Sequence, residues 1–281
     1  MSLFQAVFFS FFAGVAAFLP FGSEWLHSLV SWSAGWEPAS AALRGTLSLG
    51  FALSLLVSFR HDWAGYGSAL LGRLFYRGGR GFRGRRPDEQ LPIWIAAVSV
   101  PMLAVVITGV PAAWRMTELS PGWVIGGLFL AGEVVHRADR FGKRQKGMFD
   151  FGVLDCLLLG LGQLCFLLPG VGRMAGMLSV AFFRGYQREA ACRFILLSSF
   201  PILLIESFIL LRGSQFGHGA GSDLTWLQFG VTLFMAFFLG LLSKGALERG
   251  VARFGASRSF LARLALVGLA AGGMFLRKQF L

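Results

Sequence analysis

One ten-residue run, Leu167-Leu168-Pro169-Gly170-Val171-Gly172-Arg173-Met174-Ala175-Gly176, sets a helix-breaking proline, three glycines and one arginine in otherwise apolar sequence. That composition suits a phosphate. Glycines let backbone N–H groups approach an anion at the start of a following helix, and a guanidinium adds a planar fork of donors for phosphate oxygens. Gly170, Gly172, Gly176 and Arg173 are therefore the candidate phosphate-binding residues. The competing reading is a glycine-rich packing kink whose arginine snorkels to lipid headgroups. A charge among apolar residues is expensive, which favours a functional Arg173. Glu206, five residues after Pro201, poses the same question inside another apolar run: a hydrogen-bonded or protonated structural residue, or one that handles a proton or substrate. Glu133 and Asp155 fall near the ends of apolar runs and read as interfacial. Ser99 and Ser199 precede Pro101 and Pro201 by two residues and are expected to satisfy the carbonyls those prolines free.

The elements that must position these residues are membrane helices. Of the 281 residues, 55% are hydrophobic and 14% charged, against about 25% charged in a soluble domain; the mean hydropathy is +0.65. Six runs, 41–59, 91–110, 123–135, 194–211, 224–242 and 260–276, read as transmembrane helices. Basic linkers separate them: 60–86 with seven arginines, 137–146 with five basic residues and the stretch from Lys244 to Arg258 with four. By the positive-inside rule these face the cytoplasm, while 111–122 and 212–223 face outward. The excess of 26 Lys and Arg over 14 Asp and Glu is thus a topology signal and an anionic-lipid contact, and nucleic acid is not expected. The apolar start lacks a basic n-region, its first basic side chain being Arg44, so residues 1–17 are expected to stay in the mature protein. Cys156, Cys165 and Cys192 stand singly, without metal spacing, and read as small buried side chains.

Two apolar segments remain, 3–30 and 153–183, and the linker assignment makes each begin and end on one side of the membrane. Each is broken near its middle, at Phe18-Leu19-Pro20-Phe21-Gly22 and at Leu168-Pro169-Gly170, so both are expected to be re-entrant hairpins. The expected fold is an all-α integral membrane protein of six transmembrane helices plus two re-entrant helical hairpins in inverted-topology repeats. The halves are 1–147 and 148–281, together one membrane domain. Two internal echoes fit such a repeat: Ser99-Val100-Pro101-Met102-Leu103 with Ser199-Phe200-Pro201-Ile202-Leu203, and Ala138-Asp139-Arg140-Phe141-Gly142 with Val251-Ala252-Arg253-Phe254-Gly255. Inverted repeats with paired broken helices place a site near the membrane midplane.

The run from Gln163 to Gly176, followed by Arg188-Glu189-Ala190-Ala191-Cys192-Arg193-Phe194, resembles the second signature of the undecaprenyl-pyrophosphate phosphatases, or bacitracin-resistance proteins, PGxSRSG followed by SREAARF. The stretch from Gly14 to Ser23 resembles the first, EGxxEFLPxSSTGH, and weaker similarity at Val57 to Asp62, at Asp139 to Arg144 and through the last two spans extends it over nearly the whole chain. The resemblance implies a multi-pass protein of the bacterial cytoplasmic (inner) membrane. Its partner would be polyprenyl (undecaprenyl) pyrophosphate or phosphate among the membrane lipids, in the recycling of the cell-wall carrier lipid; homo-oligomerisation stays open.

This member is degenerate. Ala13 and Ala17 stand where the family has two glutamates, which are held to bind a divalent metal or to act in acid–base chemistry, so the Mg²⁺ or Ca²⁺ that the resemblance implies loses its carboxylates. Gly172 and Met174 replace the serines that flank Arg173. A displaced catalytic set of Ser23, Glu24 and His27 is the candidate substitute. Two functions follow: hydrolysis of polyprenyl pyrophosphate through displaced residues, or binding or transport of polyprenyl phosphate without catalysis; a structural membrane partner is the third alternative. The topology predicts that a Gly79→Cys variant reacts with an impermeant thiol reagent from the cytoplasmic side alone. Labelling from outside would overturn the inverted halves.

Overall fold

The computed structural model describes residues 1–20, 23–75, 87–108, 121–217 and 223–254. Among these the regular structure is helical, with no strand beyond two isolated bridges. The helices are α1 (Leu3–Ala16), α2 (Ser23–Ala34), α3 (Ala41–Ser58), α4 (Arg60–Phe75), α5 (Pro87–Ile107), α6 (Pro121–Phe141), α7 (Val153–Gln163), α8 (Arg173–Phe183), α9 (Arg188–Arg212) and α10 (Trp226–Phe254). Their starts follow side-chain chemistry. Ser2 and Gln5 form a capping box before α1, and the Ser40 hydroxyl accepts from the Leu43 N–H at 3.2 Å before α3.

Three helical stretches, α3, α9 and Trp226–Val251 of α10, are long and apolar enough to cross a membrane. At about 1.5 Å per residue, the 21-residue helices α5 and α6 each reach about 31 Å. The 14 residues of α1 and the 11 each of α7 and α8 reach only about 21 and 17 Å, well short of a hydrocarbon core of about 30 Å. Apolar side chains also cover the outside: Trp123 of α6, Phe208 of α9 and Phe234 of α10 are 70%, 68% and 64% exposed. Lipid, not water, is the solvent that makes such a surface inexpensive.

Some predicted boundaries move. The linker at 60–86 opens with a helix, α4, which continues directly from α3; much of 137–146 belongs to α6; and α10 runs ten residues past Lys244. The span at 260–276 and Gly79 lie outside the described residues, as do most of 111–122 and part of 212–223.

Close contacts set the directions of the helices. A Cβ on Gly45 of α3 would meet Leu210 and Leu211 of α9, while beyond the other end of α3 Asp62 pairs with Arg193 and Trp63 packs on Phe200, so α3 and α9 are antiparallel. Parallel packing joins α1 to α10, through Gly14 on Leu239 and the Phe18 N–H donating to the Ser243 hydroxyl at 3.1 Å. It also joins α7 to α5, where Gly160 lies on Val98 and Pro101 and, past the end of α7, Phe166 packs with Met102. Within the second broken segment, Gly162 faces Gly176 and Asp155 pairs with Arg184, which makes α7 and α8 an antiparallel hairpin. Several pairings recur between the halves: α1 with α2 as α7 with α8, α1 with α10 as α7 with α5, and α3 with α10 as α9 with α5.

The turn of the α7–α8 hairpin lodges against α6. A Cβ on Gly127 would lie 1.6 Å from the Pro169 oxygen, and one on Gly170, whose φ is +76°, would lie 2.0 Å from the Val124 oxygen. Gly170 therefore serves both a left-handed backbone and a contact that leaves no room for a methyl group. Gly170→Ala is expected to cost about 1–3 kcal/mol in backbone strain besides the displaced contact, and to lower the melting temperature of the detergent-solubilised protein by several degrees. Gly213→Ala, with nothing within 4 Å of the new Cβ, should leave it unchanged.

Candidate functional site

The second hairpin is interrupted by the sequence of its own turn. α7 ends at Gln163, a 3₁₀ turn covers Leu164–Leu167, Leu168 is extended, Gly170 is left-handed, and Gly172 is the extended N-cap of α8. Pro169 cannot donate to a helical ladder, which ends the regular structure there. One freed carbonyl is taken from the other broken segment: the indole Nε1 of Trp25, in α2, donates to the Phe166 oxygen at 3.2 Å. Trp25 is 1% exposed, so this bond is shielded from water and joins the two helix-break-helix units directly.

Arg173 is the first residue of α8. Gly172 offers no side-chain cap, and α8 has no acidic residue in its first turn; the first backbone N–H groups of a helix have no partner within it. The Arg173 Nη1 lies 3.3 Å from Oε2 of Glu206, a residue of α9. Both side chains are sheltered, at 16% and 28% exposure. The two intramembrane charges that the sequence singled out separately are thus one ion pair, and Arg173 is anchored to the bundle rather than left to snorkel. The Glu206 Oε2 takes no well-aligned hydrogen bond, so the contact is ionic and loosely directed.

The glycines of the turn divide by task. Gly176 packs α8 on α7, since a Cβ there would lie 2.1 Å from the Gly162 oxygen, and its N–H is engaged by the Gly172 oxygen. Gly170 is held by α6. For these two the packing kink is what the geometry shows, and Gly172, at the helix start, keeps the position an anion site needs.

Ser23 and Glu24 open α2, and their side chains lie outside what is described. His27 packs its ring against Phe9 of α1, with centroids 6.1 Å apart. Ala13 is 2% exposed within the core of the bundle, and Ala17 is the C-cap of α1. Neither can ligate a cation, and among the described residues no three of His, Cys, Asp and Glu come together to hold one. Among the described residues, no set of donors fits the divalent metal that the resemblance implies.

Two residues with buried, unbonded polar atoms carried no distinct signal. Gln163 is fully buried at the end of α7, with neither amide atom hydrogen-bonded, an arrangement that costs about 1–3 kcal/mol. Arg44 stands four residues into α3, its Nε buried and without a hydrogen bond. A charge that early in an apolar span was the available clue, and it had served only to mark the first basic side chain.

The base of the hairpin carries a different cluster. Asp155, in the first turn of α7, is buried: it pairs with Arg184, lies 3.5 Å from Lys146 Nζ and accepts from the Tyr186 hydroxyl at 2.8 Å. Burial, together with the Asp155 carboxylate, holds the Tyr186 phenol above its usual range. Asp139 accepts two 2.7 Å bonds from the Arg188 fork and a third from Arg144 at 3.2 Å. Glu133 does lie at the surface, paired with Arg137 one turn on. Cys156 and Cys192 are buried, Cys165 is partly so, and all three are free thiols.

Comparison with known proteins gives one consistent result. The family model described as bacitracin resistance protein BacA matches residues 6–270. A protein of Kineococcus radiotolerans named undecaprenyl-diphosphatase is 27% identical over 246 residues, 85% of this chain and 82% of its own length. Proteins of the same name from Nocardioides sp. and Desulforudis audaxviator are each 31% identical, over 71% and 72% of this chain and 71% and 74% of their own.

The bond between the two broken segments makes Trp25→Phe informative. Losing one buried hydrogen bond is expected to cost about 1 kcal/mol, read as a melting temperature a few degrees lower in detergent. An unchanged melting temperature would mean that the Trp25 bond does not help to hold the segments together.

Proposed function

The chain belongs to the bacitracin resistance protein BacA family, and from that membership we propose that it is a multi-pass membrane phosphatase acting on polyprenyl pyrophosphate. The reaction is hydrolysis: water adds to the terminal phosphorus, the phosphoanhydride bond breaks, and a polyprenyl monophosphate and inorganic phosphate leave. The observation that carries this reading is Arg173, set at the uncapped start of α8 and held inside the bundle by Glu206.

Both positive features of that site act on the same charge. The guanidinium and the α8 N–H groups stabilise phosphate oxygens, and their effect grows where water is thin. Ser23, Glu24 and His27 form the set that moves the proton, with Glu24 in place of the family carboxylates. Because Ala13 and Ala17 provide no ligands, no step runs through Mg²⁺ or Ca²⁺. The six-span arrangement with re-entrant hairpins in inverted halves belongs to this proposal. Its support is the antiparallel α3–α9 pair and the pairings that recur between the halves. So does the bacterial inner membrane, with the head-group site opening outward.

The same two alanines favour a second reading, a protein that binds or moves polyprenyl phosphate without cleaving it.

Phosphate release from undecaprenyl pyrophosphate by the purified protein, with and without Mg²⁺ or Ca²⁺, decides between them. Expected are metal-independent release, loss of it in Arg173→Ala by about a hundredfold or more, and a comparable loss in Glu24→Gln. Release that is absent while lipid binding still depends on Arg173 would establish the second reading.

A further inference from the structure

The end of α8 and the chain that leaves α6 enclose a second polar site, about 15 Å along α8 from Arg173. A Cβ on Gly142 would collide with the Phe182 oxygen, so the end of α6 is pressed onto the end of α8. Just beyond, the Lys146 N–H donates to the Gly185 oxygen at 3.0 Å and the Gln187 N–H to the Lys146 oxygen at 2.9 Å. Gly185, with φ at +83°, makes the turn that these two bonds need. At this junction lies a cavity of about 250 Å³, lined by Lys143, Gln145, Lys146 and Arg184 together with Phe141 and Phe183.

The cavity wall carries three cations and no carboxylate. Asp155 anchors Arg184 and stands 3.5 Å from Lys146 Nζ, while Lys143 makes no ion pair among the described residues. Around the cavity, residues 139–155 and 184–189 hold six cations against four carboxylates. Three of those carboxylates, Asp139, Asp150 and Asp155, already accept hydrogen bonds within the protein. The neighbouring surface is apolar. Phe141 and Phe183 are each more than half exposed, and so are Leu154, Leu157 and Leu161. Spacings of three and four residues set these leucines along one face of α7, beginning next to Asp155 and its partner Arg184. In a protein solvated by lipid, such a stripe borders acyl chains. A basic cavity at one end of it matches a lipid phosphate with its chain, and basic segments beside membrane helices attract anionic lipids. The linker that supplies Lys143 and Lys146 is one that its charge assigns to the cytoplasmic side.

We propose that this cavity binds the headgroup of an anionic phospholipid, its phosphate among Lys143, Lys146 and Arg184 and an acyl chain along the leucine stripe of α7. Bound there, the lipid bridges the α6–α7 linker and the α8–α9 turn, the two segments that fix the base of the hairpin. The site is separate from the start of α8 and does not depend on whether the chain cleaves pyrophosphate.

Native mass spectrometry of the full-length protein, released from detergent doped with dioleoylphosphatidylglycerol or dioleoylphosphatidylcholine, counts the lipids retained and gives the affinity of each. The wild type should retain one phosphatidylglycerol more tightly than phosphatidylcholine. Lys143→Gln should weaken phosphatidylglycerol about fivefold and leave phosphatidylcholine unchanged. Because Lys143 is exposed, neutralising it should not disturb the fold, and Lys143→Arg should keep the affinity of the wild type. Arg60→Gln makes the same change of charge at an exposed residue that does not line the cavity, and should affect neither lipid. Glycerol 3-phosphate at the same concentration should not displace the lipid, since it has no acyl chain. Equal retention of the two lipids overturns the proposal, as does phosphatidylglycerol binding that Lys143→Gln leaves intact or that Arg60→Gln weakens as much. Displacement by glycerol 3-phosphate would make the cavity a site for soluble phosphates and overturn the lipid assignment.

Discussion

In a chain solvated by lipid, a backbone group that leaves a helix must find its partner inside the protein, because hydrocarbon supplies none. Both broken segments of this protein meet that demand with side chains from elsewhere. The Phe18 N–H reaches Ser243 in α10, and the Phe166 oxygen receives Trp25 from α2. The left-handed Gly170 lets the second turn press against α6 so closely that Gly127 can carry no side chain. These contacts hold the break that creates an uncapped helix start, and Arg173 is the first residue beyond it.

The two charged clusters of the chain answer the same constraint differently. At the base of the α7–α8 hairpin, Asp155 and Asp139 are surrounded by donors at hydrogen-bonding distance, and Phe151 stacks between Tyr186 and Phe194 at 4.0 and 3.8 Å. That cluster ties the hairpin to α9. Around Glu206 the contact with Arg173 is sheltered, and the Glu206 Oε2 takes no aligned hydrogen bond. Removing charge from water costs several kcal/mol per ion unless geometry compensates. The well-bonded cluster at the hairpin base is therefore structural.

The sequence by itself determined that the chain is helical and membrane-bound, where the second hairpin lies and where it breaks, and which arginine follows the break. Those features are local: run length, a proline and glycines fix them before any packing occurs. Its internal echoes were misleading. Ser99 and Ser199 do occupy matching local settings, each bonding the carbonyl four residues back, at Ile95 and Ile195. Those carbonyls are not the ones that Pro101 and Pro201 free, which belong to Ala97 and Leu197. The helices concerned, α5 and α9, are also not the pair that the packing exchanges, since α5 takes the place of α10. Short matches in an apolar chain carry little information about register.

Tertiary structure alone decided that Arg173 and Glu206 pair, that Asp155 is buried, and that Gly170 and Gly176 serve close packing. Arg173 and Glu206 stand on different helices and meet because α8 packs against α9. A side chain's partners across a bundle depend on which helices touch and at what level. That is set by the shapes of many small contacts summed over the whole interface, and no stretch of sequence near either residue records it.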